Sequence, residues 1–138
     1  MSKRIWLDAN VVLDLVLDRE GFVEDASKLF LLHEAGEIEI YLSTLSLANI
    51  AYIVKKNGKN PFAVIARLLK WVNVISLSRA HFEKNIDSSF SDFEDGLQYF
   101  SSLEVKNVEA IITRNKADFK PAKVPVLTPK EFLKIVSH

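Results

Sequence analysis

Ile5-Trp6-Leu7 is apolar at every position and leads straight into Asp8. A strand that is apolar on both faces belongs inside a parallel sheet covered by helices on both sides, which excludes most other architectures for this end of the chain. From Asn10 to Leu17 the pattern changes to helical spacing, with Val12, Leu15 and Val16 on one side, so Asp8 stands in a strand-to-helix turn. A carboxylate in such apolar surroundings must be paired, hydrogen-bonded or neutralised, because leaving it bare costs several kcal/mol. Capping of the following helix, by Asp8 or by Asn10, is one answer; a bound cation is the other.

The same alternation continues downstream. Phe22 to His33 reads as a second helix ended by Gly36, and Ile38 to Leu42 as a second strand. Thr44 or Ser46 caps a third helix running to Lys56, and Asn60-Pro61 opens a fourth with Phe62, Ile65, Leu68 and Leu69 as its apolar stripe. Val72 to Leu77 is a third strand, and Ser78 opens a helical piece towards Ile86. Ser91-Asp92-Phe93-Glu94 has the Ser-x-x-Glu spacing of a capping box, which assigns Glu94 to the cap of a helix carrying Leu97, Phe100 and Leu103 inward. Glu109 to Thr113 and Val124 to Leu127 are the last strands, and Thr128-Pro129-Lys130-Glu131 is a second capping box before a terminal helix. This order predicts one α/β domain over residues 1–138, an α/β/α sandwich with a mainly parallel sheet of about five strands.

In open parallel sheets ligands bind beyond the carboxyl ends of the strands. That rule gathers Asp8, Ser43, Thr44, Thr113, Asn115 and Asp118 at one edge, with the helix beginning at Asp92 aimed at the same place. On that helix Asp92, Asp95 and Gln98 follow an i, i+3, i+6 stripe, more than the dipole preference for acids in a first turn accounts for. Asp18 reads as part of a solvated face and Asp14 as a group able to support the site, while Asn115 or Asp118 suits an Asx turn. Several carboxylates converging at one place cannot all stay ionised without a cation. The chain has no cysteine, and its three histidines lack ligand spacing, so zinc is disfavoured and hard oxygen donors point to Mg2+ or Mn2+.

With 18 basic and 18 acidic residues the net charge is zero, so polyanion binding has to come from local patches. No stretch approaches the roughly 18 apolar residues of a membrane span, and Asp8, Asn10 and Asp14 interrupt the run that a leader peptide would need after Lys3-Arg4. The expectation is a soluble, cytoplasmic protein with no membrane partner.

Three blocks together resemble the PIN-domain family of metal-dependent ribonucleases, which includes the VapC-type toxins of bacterial toxin–antitoxin pairs. They are Ile5-Trp6-Leu7-Asp8-Ala9-Asn10-Val11-Val12-Leu13-Asp14, Asp92-Phe93-Glu94-Asp95-Gly96-Leu97-Gln98-Tyr99 and Ile111-Ile112-Thr113-Arg114-Asn115-Lys116-Ala117-Asp118-Phe119. The resemblance implies a metal-dependent endoribonuclease that hydrolyses phosphodiester bonds of RNA, a homodimer and, for a toxin, a cognate antitoxin. It makes Asp8 and Asp95 the first metal ligands and Asp92 and Asp118 further ligands or water-orienting groups, so that Asp8, Asp92, Asp95 and Asp118 form the catalytic set. Asn10, Asn49, Thr113 and Asn115 become supporting residues that position water or a phosphate oxygen. Lys55, Lys56, Lys59, Arg67 and Lys70 on one side, and Arg114, Lys116, Lys120 and Lys123 on the other, suit an RNA-binding rim, each being equally readable as a solvated face.

Two departures accompany the resemblance. Asn49 and Asn115 stand where members of the family often carry acids, and amides lower the charge of the site. The competing reading is therefore a catalytically weakened PIN-like module that binds RNA or protein. A phosphoacceptor receiver or an aspartyl phosphatase is a third, disfavoured because Asp8-Ala9-Asn10 lacks a second aspartate.

Overall fold

The structure is a computed structural model and describes residues 2–136. Strand β1 (Lys3–Leu7) is followed by α1 (Ala9–Val16), α2 (Val23–Glu34), β2 (Ile38–Ser43), α3 (Thr44–Lys56), α4 (Pro61–Trp71), β3 (Asn73–Ile75), α5 (Arg79–Ile86), α6 (Phe93–Ser102), β4 (Val108–Ile112), a 3-10 turn (Lys116–Phe119), β5 (Val126–Leu127) and α7 (Pro129–Val136). The five strands form one parallel sheet in the order β3-β2-β1-β4-β5. The α/β reading of the sequence holds, and the sheet is wholly parallel.

The uniform hydrophobicity of β1 follows from its central place. Ile5 and Leu7 enter the larger core with Val11, Val12, Leu29, Ile50 and Phe132, whereas Trp6 faces the other side with Tyr99, Val105, Ile111 and Phe119. Both faces are dry, so alternation would have left a polar side chain buried. Connections run from β1 outward to β2 and β3, then return across β1 to β4 and β5. The strand order thus reverses at the β1/β4 pair, where crevices open beyond the strand ends in sheets of this class.

Local signals set several boundaries. Asn60 accepts hydrogen bonds from the amides of Phe62 and Ala63, with Pro61 behind it at the first helical position. Thr128 and Glu131 form the expected reciprocal box at 2.9 and 3.1 Å. The cap of α3 is Ser43 and not Thr44 or Ser46: its hydroxyl accepts from the Ser46 amide at 3.0 Å, while Thr44 Oγ1 takes the Leu77 amide. β5 begins at Val126 and not at Val124, after Pro125, which has no N–H to donate and pairs only through its carbonyl to Ile111. Among the described residues no helix is long and apolar enough to cross a membrane.

Candidate functional site

Register brings the ends of β1 and β4 together, Leu7 opposite Ile112, and the Asp8 amide continues the ladder to the Ile112 carbonyl at 2.9 Å. The next residue on β4 is Thr113, fully buried, whose hydroxyl donates to Asp8 Oδ2 at 2.8 Å and accepts the Asn115 amide at 3.1 Å. Thr113 is therefore enclosed beneath Asp8 and holds that carboxylate. Asp8 occupies the N-cap position of α1 but makes no capping hydrogen bond. Burial pushes its carboxyl above the ordinary range, the Thr113 hydroxyl and the amide dipoles of Asn10 and Ala9 pull the other way, and the charge of Asp118 adds to the rise.

Asp8 lies in a cavity of about 210 Å3 whose walls include Asn10, Asn49, Tyr52, Glu94, Asp95 and Gln98, with no basic side chain among them. The α6 wall depends on a one-residue shift in capping. Asp92, not Ser91, is the N-cap, and its Oδ1 accepts the Asp95 amide at 3.0 Å. The expected Ser91–Glu94 box is absent because aspartate caps as well as serine does and here takes the position. Glu94 thereby moves off the cap and faces the cavity, where Asn49 Nδ2 donates to its Oε1 at 2.9 Å. Sequence reasoning missed Glu94 as a site residue; the signal lay in Asp92 itself, an equally good cap one position later.

Asp95 is half-buried on the same wall, and its carboxyl is pushed up to about 7, first by burial and then by the charges of Asp92, Asp118, Asp8 and Glu94. Gln98, one turn on, accepts the Ser43 hydroxyl at 2.9 Å and so ties α6 to the end of β2. Asn85 on α5 fixes the helix start from behind: it is buried, and its Nδ2 donates to the Phe93 carbonyl at 2.8 Å. Gly96 makes room for it, since a Cβ there would lie 1.8 Å from Asn85 Oδ1. Asp92 and Asp118 are exposed and do not line the cavity, although the charge of each reaches Asp95.

The cation rim is more scattered than expected. Arg114 forms a two-point pair with Asp14 (Nε–Oδ2 2.9 Å, Nη2–Oδ1 3.0 Å) and lies 3.9 Å from the Phe22 ring centroid. Asp14 is 1% exposed and also meets Arg19 at 3.3 Å, so it belongs to a buried ion cluster and not to a solvated face. Asp18, by contrast, is exposed. Lys116 pairs with Glu131 at 3.1 Å, and Lys59 and Arg67 line a separate cavity with Leu15 and Trp71. Lys55 and Lys56, in the last turn of α3, remain near the acidic cavity through Tyr52.

The donors facing the cavity are carboxylate and amide oxygens, a set that suits a hard divalent ion and not a soft one. Among the described residues no three acidic or imidazole side chains come close enough to grip an ion by themselves. The fit is accordingly to an ion such as Mg2+ that keeps much of its own water and takes one or two protein carboxylates.

The family pattern described as PIN domain matches residues 4–117. No curated protein matches the chain by sequence. Among solved structures, a toxin–antitoxin complex from Klebsiella pneumoniae superposes with TM-score 0.64 at 22% identity, covering 91% of this chain and 97% of that one. Mycobacterium tuberculosis VapC20, described as a Sarcin-Ricin loop cleaving toxin, gives 0.64 at 16% identity, with 88% and 98% covered. VapBC2 from Rickettsia felis, bound to a promoter DNA fragment, gives 0.61 at 18%, with 90% and 96% covered. At these identities the likeness is one of fold. The family match spans most of the chain, including Asp8 just past β1, Asp95 on α6 and Thr113 just past β4, and on that ground the chain belongs to the PIN-domain family.

Proposed function

We propose that the protein is a metal-dependent endoribonuclease that hydrolyses phosphodiester bonds of RNA. The observation that carries this reading is the cavity at the β1/β4 switch, which Asp8, Glu94 and Asp95 line without a basic side chain and where two of the three carboxyls are pushed upward. Asp8 and Asp95 would hold the ion, directly or through water, and Glu94, Asn49, Asn10 and Gln98 would bind its remaining water. A divalent ion bound there supplies a water of lowered pKa and charge neutralisation at the scissile phosphate.

The chain's own groups do the rest. Thr113 keeps Asp8 in one orientation through a buried hydrogen bond, so the carboxylate is aimed before substrate arrives. Asn49 holds Glu94 in the cavity, and the Asp92 cap sets the direction of the α6 start. With its carboxyl raised to about 7, Asp95 is about half protonated at neutral pH when the cavity is unliganded, so uptake of a cation there would be coupled to proton release. Asp118, outside the wall, contributes charge that favours the cation.

The structural neighbours, a Sarcin-Ricin loop cleaving toxin and a toxin–antitoxin complex among them, support a toxin role with an antitoxin partner as a further part of this proposal, and a homodimer is proposed beside it on the family resemblance alone. Incubation of single-stranded RNA with the purified protein in Mg2+ or Mn2+, beside Asp8→Asn, tests the core of it. Cleavage by the parent alone is expected. Equal cleavage by both proteins refutes the assignment, and RNA binding without cleavage by either favours the weakened module to which Asn49 and Asn115 give support.

A further inference from the structure

Asn49, Tyr52 and Lys56 lie at i, i+3 and i+7 on α3 and so share one stripe of the helix. Asn49 holds Glu94, whereas Tyr52 lines the acidic cavity on one side and, on the other, an apolar groove of about 570 Å3 between α3 and α4. Tyr52 is 65% exposed, a large area of ring left in water at the lip of a polar cavity. The Lys56 ammonium lies 5.3 Å from the ring centroid, and Lys55 is the charged member of the groove lining. A flat exposed ring with ammonium groups beside it is the combination that unpaired nucleotides recognise: the base stacks on the ring and the backbone meets the cations.

Building on the nuclease reading, we propose that Tyr52 is the stacking platform for the unpaired base beside the phosphate held in the acidic cavity, with Lys55 and Lys56 receiving the adjoining backbone phosphates. Charge argues for this occupant, since the cavity walls are acidic and without a basic side chain, whereas Lys56 lies against the Tyr52 ring at its lip and Lys55 lines the adjoining groove. Single-stranded RNA is the favoured form, because a duplex keeps its base faces stacked internally and offers Tyr52 none.

The test uses Asp8→Asn protein, with the substrate left uncut, and a short single-stranded RNA containing 2-aminopurine, titrated in Mg2+. Adding Tyr52→Ala is expected to weaken binding about 5- to 100-fold and to remove the fluorescence quench of the stacked base. Tyr52→Phe and Tyr52→Trp, which keep the platform, should restore both, and in the cleaving protein Tyr52→Ala should raise KM more than it lowers kcat. Because the side chain is mostly in solvent, the melting temperature should stay put. Unchanged RNA affinity in Tyr52→Ala, while the parent still cuts RNA, overturns the platform and leaves the nuclease reading standing. RNA neither bound nor cut by any of these proteins overturns both. Unchanged RNA affinity together with a changed oligomeric state shows the ring to belong to a protein interface and also overturns the proposal.

Discussion

Replacing Asp95 by Asn should make the metal-free protein more stable at neutral and alkaline pH. The Asp95 carboxyl, ordinarily at 3.8, is raised to about 7 in the folded chain. Between those values the folded state keeps a proton that the unfolded state has lost, so folding stability declines as pH rises through this window and levels off above it. A shift of that size corresponds to about 4 kcal/mol at 1.36 kcal/mol per unit. Asp95 is only half-buried, and solvent screens much of the repulsion, which brings the expected penalty to roughly 1–2 kcal/mol. Asparagine cannot ionise and escapes it.

Urea unfolding of both proteins in a chelator, from pH 4 to pH 8.5, reads the effect as a difference between variant and parent. That difference should be near zero at pH 4, grow through pH 6 and reach its plateau above pH 7. Saturating Mn2+ should then reverse the order, stabilising the parent by about 2.7 kcal/mol at a hundredfold excess over Kd and the variant by much less. A difference that is flat with pH, or a variant less stable than its parent at pH 8 in chelator, refutes the electrostatic account of this cavity.

Thr113→Val should leave the fold intact but free the Asp8 carboxylate, weakening metal binding by about tenfold for one lost charge-assisted hydrogen bond, as read by calorimetric titration with Mn2+. Arg114→Ala leaves buried Asp14 with Arg19 alone and should cost about 2–4 kcal/mol in thermal or urea unfolding, whereas a double change of Asp14 and Arg114 to apolar residues should recover most of that loss. Gly96→Ala forces a Cβ into Asn85 Oδ1 and should cost about 1–3 kcal/mol; unfolding curves of Gly96→Ala with Asn85→Ala should show partial rescue, and strictly additive losses would place the clash elsewhere.

What could be read from the sequence was governed by distance along the chain. Asn60-Pro61 and Thr128 with Glu131 each complete a cap within four residues, and both formed as expected. The uniform apolarity of Ile5-Trp6-Leu7 placed β1 inside a parallel sheet, which in turn located Asp8 at a strand end. Glu94 was misassigned because Ser91 and Asp92 are chemically interchangeable caps, and one residue of phase decides whether the glutamate closes a helix end or faces a cavity. The partner that buries Asp14 stayed out of sight because Arg114 is 100 residues away, and no local pattern announces so remote a neighbour. The pairing of Arg114 with Asp14 and of Lys116 with Glu131 was hidden for the same reason.

The hydrogen bond between Thr113 and Asp8 joins residues 105 apart in the chain. At synthesis rates of about 5–20 residues per second, roughly 5–20 s pass between the emergence of the acid and that of the hydroxyl that aims it. Once β2 has emerged β1 can pair with it on one side, and its other edge waits for β4. The cavity is therefore among the last features of the molecule to come into being, and the chain passes through most of its synthesis with the walls of that cavity still apart.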